Sequence, residues 1–394
     1  MDFSTARNQR VSPTDKTVAL LFIGAILLIV CLWLDNRALG ATHWPGYGEM
    51  VSALPDPLAW LRWVLGDISE VAFYKHEFAS IGLLAGAYLA YYASRTGKSW
   101  QGFAISYGTG LWPWLVTSSL LGLLLSNLLW GWTVSAGDWQ PTFVAFVSLP
   151  AAMVLMFGGG WKVTINAAIM GALLVTPMCL LIVNYVCNPL ALPAVIGNVA
   201  GMAIASVVAF LICRYWPSLV RTTRPEKPAA TPAPKTPGYG VIWTLRRVLA
   251  DFSEAPFFGN EWASLGLLLG AVLAYSLNPL SPAYGSGLLL HIIAAQALTS
   301  AIGVLFWRHQ WMAHGWYPTY IPLVSVVPAS ILTHGASWGV MVTSAWLGAL
   351  LAPPLAHAIA KRLPADMHTY IANVLSMAIS TLLIVPLIGF MFGE

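Results

Sequence analysis

Charge is what this sequence has least of. Only 9% of its 394 residues are Asp, Glu, Lys or Arg, against about 25% in ordinary soluble domains. With 58% of residues hydrophobic, that deficit excludes a sizeable soluble domain and indicates a polytopic membrane protein, with the lipid bilayer as its first partner. The excess of 19 Lys+Arg over 15 Asp+Glu is small, and the basic residues cluster near the ends of apolar runs. That pattern orients a membrane protein and is no nucleic-acid footprint. Cysteine is also scarce. Cys31, Cys179, Cys187 and Cys213 show no CxxC or Cys/His spacing, so no metal site is expected. They read as small apolar fillers, with a Cys179–Cys187 pair left open. No Walker loop, dinucleotide fingerprint, metalloprotease spacing or nucleophilic triad is present. "GGGW" at Gly158–Trp161 reads as a turn. No catalytic residue and no cofactor is therefore expected, and the leading reading is not an enzyme.

What is abundant is apolar run. Spans are expected near 17–35, 79–94, 110–133, 142–158, 164–186 and 193–213, then near 263–277, 285–307, 317–334, 338–360 and 368–391. Several fall short of the ~20 residues of a full crossing. The runs at 142–158 and 317–334 carry Pro150, Pro322 and Pro328 and read as broken or re-entrant segments lining a protected space. Residues 1–50 are expected to form a cytoplasmic N-terminus and an extra, uncleaved first span. Residues 51–216 form a first repeat, 217–240 a Pro/Ala-rich cytoplasmic linker, and 241–394 a second repeat. Arg7, Arg10 and Lys16 place the N-terminus in the cytoplasm. Arg95 with Lys98, Lys162, Arg214, Arg308 and Lys361 with Arg362 also fall inside. The expected location is the plasma membrane, bacterial inner membrane included.

"LRWVLGDISEVAFYKHEFASIGLLAGAYLAY" (61–91) recurs as "LRRVLADFSEAPFFGNEWASLGLLLGAVLAY" (245–275), with 19 identities in 31 positions and no gap. "DWQPTFVAFVSLPA" pairs with "GWYPTYIPLVSVVPA", "MGALLVTPM" with "LGALLAPPL", and "IGNVAGMAI" with "IANVLSMAI". The order of these pieces is kept. Each repeat holds five runs, an odd number, so the two copies are expected to insert with opposite orientation. Transporters built this way place their pathway at the repeat interface. The expected fold is thus all-α, with two inverted repeats of about five spans each plus one extra N-terminal span.

Glu70 and Glu254 are the acids of the repeated motif. Ionised, they favour a cation; protonated by desolvation, they become neutral donors and acceptors; otherwise they cap helices or form interfacial salt bridges, with Ser69 and Ser253 beside them. Asp67 and Asp251 are expected to cap, or to pair with Arg62 and Arg246. Thr142 and Thr319 each follow a proline suited to a first helical turn, which would aim N–H groups at a solute. Asn198 and Asn373 are candidates for a solute contact or an interhelical hydrogen bond. Gly82, Gly86, Gly266 and Gly270 read as close helix packing. His291, His334 and His357 read as structural.

The motifs "WVLGDISEVAF" and "RRVLADFSEAPF" resemble the segment that precedes the first span of each half in the urea-transporter family. "PTFVAFVSLP" and "PTYIPLVSVVP" resemble its pore helices, and "GALLVTPMCLLIVNYVCNPLALPAVIGN" its following signature. The resemblance covers about residues 55–390. Glu70 and Glu254 stand where that family has Gln, and its Gly-Tyr-Asn is absent. The resemblance implies a narrow slot at the repeat interface along which Glu70, Val71, Phe73, Glu254 and Phe257 lie, and it implies a homotrimer. The expected function is channel-like or facilitative transport of urea or a related small amide. Two alternatives stay open: transport of a small cationic or metal-bearing solute guided by the paired Glu, and a non-transporting scaffold or intramembrane enzyme.

Overall fold

The computed structural model describes residues 42–134, 139–220 and 239–392. The expected first span at 17–35, and the expected linker apart from its two ends, lie outside the described residues. The described residues hold helices and no strand. Two short helices, α1 (Tyr47–Ser52) and α2 (Pro57–Asp67), lead to α3 (Glu77–Arg95). Then come α4 (Trp112–Trp130), the short α5 (Leu149–Phe157), α6 (Trp161–Cys187) and α7 (Ala194–Tyr215). The second half runs α8 (Val241–Asp251), α9 (Glu261–Leu277), α10 (Leu289–Phe306), α11 (Arg308–His314), α12 (Val326–His334), α13 (Trp338–Ala360) and α14 (Tyr370–Phe392).

Among the described residues, six helices are long and apolar enough to cross a membrane: α4, extended to Thr133, with α6, α7, α10, α13 and α14. Their outward residues, such as Leu128, Leu181 and Leu383, are exposed, as is Leu269 on the shorter α9, as a lipid-facing surface requires. α5 and α12 are nine residues each and follow single 3₁₀ turns at Thr142–Ala145 and Ile321–Val324, so neither expected run is a continuous helix.

Proline interrupts the long helices without breaking them. Pro353 sits inside α13 and has no N–H to give to the carbonyl four residues earlier. That carbonyl, Ala349, accepts instead from Trp307 Nε1 at 2.9 Å. In α6, π-turns at Gly171–Val175 and Val183–Cys187 flank the segment holding Pro177, and Trp130 Nε1 donates to the Ala172 carbonyl at 2.8 Å.

α3 and α9 cross at the centre, and glycine decides how closely. A Cβ built on Gly82 would lie 2.1 Å from the Gly266 carbonyl oxygen, and one on Gly266 would lie 2.0 Å from that of Gly82. Gly86 and Gly270 are similarly closed by the backbones of Trp262 and Phe78. Small residues one turn apart permit this backbone approach. Each helix is capped by the residue before it: His76 Nδ1 accepts from Phe78 N, and Asn260 Oδ1 from Trp262 N.

Candidate functional site

The chain between α2 and α3, and the aligned chain between α8 and α9, each bury two carboxylates and one cation. In the first, Lys75 Nζ donates to Glu70 Oε2 at 2.6 Å and also to Asp67 Oδ1. Asp67 Oδ2 accepts from Thr142 Oγ1 and Asn127 Nδ2, both at 2.8 Å. Glu70 Oε1 accepts from Trp139 Nε1 and from the Tyr284 hydroxyl, the latter at 3.2 Å. In the second, Arg247 donates to Asp251 Oδ1 at 2.8 Å and to Glu254 Oε2 at 2.6 Å. Asp251 Oδ2 accepts from Ser300 Oγ at 2.6 Å and Thr319 Oγ1 at 2.9 Å. Glu254 Oε1 accepts from Trp316 Nε1 at 2.8 Å, and Tyr107 also hydrogen-bonds this carboxylate. All four acids are at most 2% exposed. Charge at that depth is tolerated only when paired and fully hydrogen-bonded.

Each cluster is closed by a tyrosine from the other half. Tyr284 lies in the turn after α9, and Tyr107 in the turn after α3. Both have left-handed backbones, φ 58° and 59°, set by the recurring pattern "YGSG" and "YGTG".

Between the clusters lies a cavity of about 410 Å³. Its wall draws the same aligned positions from both halves: Val71 with Ala255, Phe73 with Phe257, Phe143 with Tyr320, Val147 with Val324, Val199 with Val374 and Met202 with Met377. Phe73 and Phe257 are both held at positive φ, 68° and 63°. That conformation is uncommon for a bulky residue and persists where the surroundings over-determine it. Aromatic edges continue the wall. Tyr284 meets Phe73 and Trp139 edge-on, each at 6.4 Å between centroids, and Tyr370 meets Phe257 at 5.9 Å.

Of the residues singled out in the sequence, Glu70, Val71, Phe73, Phe257 and Asn198 line this cavity. Glu254, Thr142, Thr319 and Asn373 are not among its lining residues. Thr142 and Thr319 are fully buried and donate their hydroxyls to the Asp67 and Asp251 carboxylates rather than presenting N–H groups to a solute. Asn373 Nδ2 donates to the Tyr320 hydroxyl at 3.1 Å.

The expected pairing of Asp67 and Asp251 with Arg62 and Arg246 is not what forms. Those arginines bind Glu77 and Glu261, each at 2.7 Å. Five residues along a helix turn a side chain well off the face of its partner, whereas four keep it there, and Arg247 is the residue four before Asp251. Cys179 and Cys187 are free thiols, and Cys179 Sγ donates to the Asn198 carbonyl at 3.2 Å. His334 bonds the Val385 carbonyl at 3.0 Å, and His357 packs against His314 and Tyr317.

The residues that sequence reading passed over are Lys75, Arg247, Trp139, Trp316, Tyr107 and Tyr284. The paired "YGTG" and "YGSG" would have found the tyrosines, and the aligned Trp of "DWQP" and "GWYP" the tryptophans. Compared with protein-family models, with curated proteins and with solved structures, the chain matches none.

Proposed function

We infer that this protein is a channel-like or facilitative permeation protein for a small neutral polar solute of the urea and amide class, and that the cavity is its pathway. One observation carries the reading. Aligned positions of two sequence repeats meet as paired walls around a single cavity, the placement typical of transporters with duplicated halves. The Gly82–Gly266 crossing, with its reciprocal backbone contact, fits two copies inserted in opposite orientation, with α5 and α12 as re-entrant half-helices. The resemblance to urea transporters in the repeated motifs agrees and implies a trimer, and the basic residues flanking the apolar runs favour a plasma-membrane protein with a cytoplasmic N-terminus.

The acids favour a neutral solute over a cation. Both oxygens of Glu70 are already engaged, one by Lys75 and one by Trp139 and Tyr284. A cation would have to compete with an ammonium already bound at 2.6 Å. A neutral donor needs only an acceptor in an apolar wall, because burying an N–H without one costs about 1–3 kcal/mol.

Stopped-flow shrinkage and reswelling of proteoliposomes tests the reading. Urea and acetamide should enter faster than into protein-free vesicles. Val71→Trp, which puts an indole into the lining, should cut that entry at least about tenfold. Entry no faster than into empty vesicles, or unaffected by Val71→Trp, would sink the proposal.

A further inference from the structure

The cavity wall is built from paired positions, but its two ends are not alike. At one end three successive residues at the start of α7, Pro193, Ala194 and Val195, line the cavity. Their aligned residues in the second half are His368, Thr369 and Tyr370, and of these only Tyr370 lines it. The acidic clusters divide in the same way. Glu70, Trp139 and Tyr284 reach the cavity, whereas the aligned Glu254, Trp316 and Tyr107 are not among its lining residues. The cavity therefore continues past Val195 and stops at Tyr370.

Tyr370 fills its end with a ring. It packs against Phe257 and His368, each at 5.9 Å between centroids, and His368 meets Phe257 at 6.1 Å. His368 Nδ1 also accepts from the Tyr370 N–H at 3.1 Å, which fixes the backbone beneath the ring. The Tyr370 hydroxyl crosses to the other half and is hydrogen-bonded to that of Ser206 on α7. Val195 and Ser206 are eleven residues apart on that helix, about 16 Å along its axis, so Val195 and Tyr370 mark opposite ends of the wall. The mirror-image contact is missing. Aligned with Tyr370 and Ser206 are Val195 and Thr381. Valine has neither ring nor hydroxyl, and Thr381 Oγ1 is buried with no hydrogen-bond partner among the described residues.

We propose that Tyr370 is the gate of the pathway: its ring, latched to Ser206, closes one end of the cavity, and solute reaches the cavity freely only from the end marked by Val195. The assignment rests on the permeation reading and adds a step to it. Permeation requires the Tyr370 ring to leave its seat between Phe257 and α7, so the population of that open state governs the rate. A tyrosine opposite a hydroxyl is what closes an end, and Val195 opposite Thr381 is the same frame without the ring.

Sided labelling tests this. Val71→Cys places a thiol in the cavity wall, and the native protein with its four cysteines sets the background. A membrane-impermeant thiosulfonate is applied to right-side-out and to inside-out vesicles carrying the full-length chain. Val71→Cys should react at least about tenfold faster from the side on which Val195 lies, because a minor open state is populated at no more than about 10%. Adding Tyr370→Val should bring the two rates together. Adding Tyr370→Val and Val195→Tyr together should reverse the preference. Urea entry into proteoliposomes should rise about two- to tenfold in Tyr370→Phe and equally in Ser206→Ala, the range set by one lost neutral hydrogen bond. These two milder variants serve even where Tyr370→Val fails to fold, which thermal unfolding checks. Equal labelling of Val71→Cys from the two sides, absent labelling included, overturns the assignment. So does a folded Tyr370→Val variant that stays one-sided, a folded double exchange without reversal, or urea entry unchanged in both Tyr370→Phe and Ser206→Ala. One-sided labelling that depends on Tyr370, without urea conduction, keeps the closure and sinks permeation. Urea conduction with equal labelling does the reverse.

Discussion

The two acidic clusters reach the same chemistry with the cation supplied from opposite directions in the chain. In the second half the cation precedes the acids: Arg247 lies on α8, four residues before Asp251 at the end of that helix and seven before Glu254 in the turn that follows. In the first half it follows them: Lys75 reaches back from the turn before α3. The aligned partner of Lys75 is Gly259, and that of Arg247 is Trp63. Lys75 Nζ rests 3.6 Å from the centroid of the Trp63 ring, so the ammonium sits against the residue that aligns with the arginine. The backbone agrees, since Lys75 keeps the left-handed φ of 45° beside 56° at Gly259. A Cβ at Gly259 would come within 2.5 Å of Glu254 Oε2, because there the space is already filled from the other side. What stays fixed between the halves is the pair of buried carboxylates and the need for one cation; which residue provides it is free to move.

The largest effect should follow from removing either cation. Lys75→Met and Arg247→Met each leave two buried carboxylates facing one another, and breaking a buried pair this way costs about 3–5 kcal/mol. Thermal unfolding in detergent should show both variants much less stable, by similar amounts. Moving the cation should then repair the first. Trp63→Arg combined with Lys75→Gly rebuilds the second-half arrangement in the first half and should recover part of what Lys75→Gly alone loses. A double variant no better than the single one would mean that the two clusters are not interchangeable.

The helix crossing comes next. At Gly82 and Gly266 the obstruction is backbone, which no rotamer change can clear. Gly82→Ala and Gly266→Ala should each cost about 1–3 kcal/mol, the usual range for overpacking, and the two values should match because the contact is reciprocal. A Gly82→Ala variant as stable as the native protein would show that α3 and α9 can separate freely.

The sequence made the scaffold readable and the wiring only in part. Hydrophobic runs placed the long helices closely: 338–360 for α13, 368–391 for α14 and 193–213 for α7, against observed bounds of Trp338–Ala360, Tyr370–Phe392 and Ala194–Tyr215. A run of apolar residues is a local signal, and a membrane helix satisfies its own backbone. Glu70, Phe73 and Phe257 stood out because they repeat. Arg247 was legible by its i,i+4 spacing to Asp251, had that been weighed against the i,i+5 of Arg246. Lys75 was not, because its partnership depends on a left-handed turn folding it back onto α2. Thr142 and Thr319 stood out correctly as a pair but for the wrong atoms. Their hydroxyls fix the acids, which only the packing of α2 against the 3₁₀ turn decides.

Neutralising the glutamates separates cavity from scaffold. Glu70→Gln and Glu254→Gln each leave one carboxylate for one cation, so stability should change by no more than about 1 kcal/mol. Solute entry should respond more to Glu70→Gln, because Glu70 lines the cavity and Glu254 is not among the lining residues. Equal sensitivity in flux assays would place both acids on the pathway.

The smallest effect belongs to the pair that distinguishes the two walls. Tyr320→Phe gives the second half the phenylalanine of the first and takes away the acceptor of Asn373 Nδ2. One neutral hydrogen bond is lost, worth about 0.5–1.5 kcal/mol. The ring remains, so the wall keeps its shape. The aligned Phe143 shows that the fold accepts phenylalanine at such a position with an unpartnered asparagine beside it. The single value would mix the lost bond with the cost of leaving Asn373 unpaired. A cycle with Tyr320→Phe, Asn373→Leu and the double variant isolates the coupling, which thermal unfolding should place near 1 kcal/mol. A coupling near zero would mean that the hydroxyl stabilises nothing and that the aligned Phe143 and Tyr320 differ without consequence for the fold.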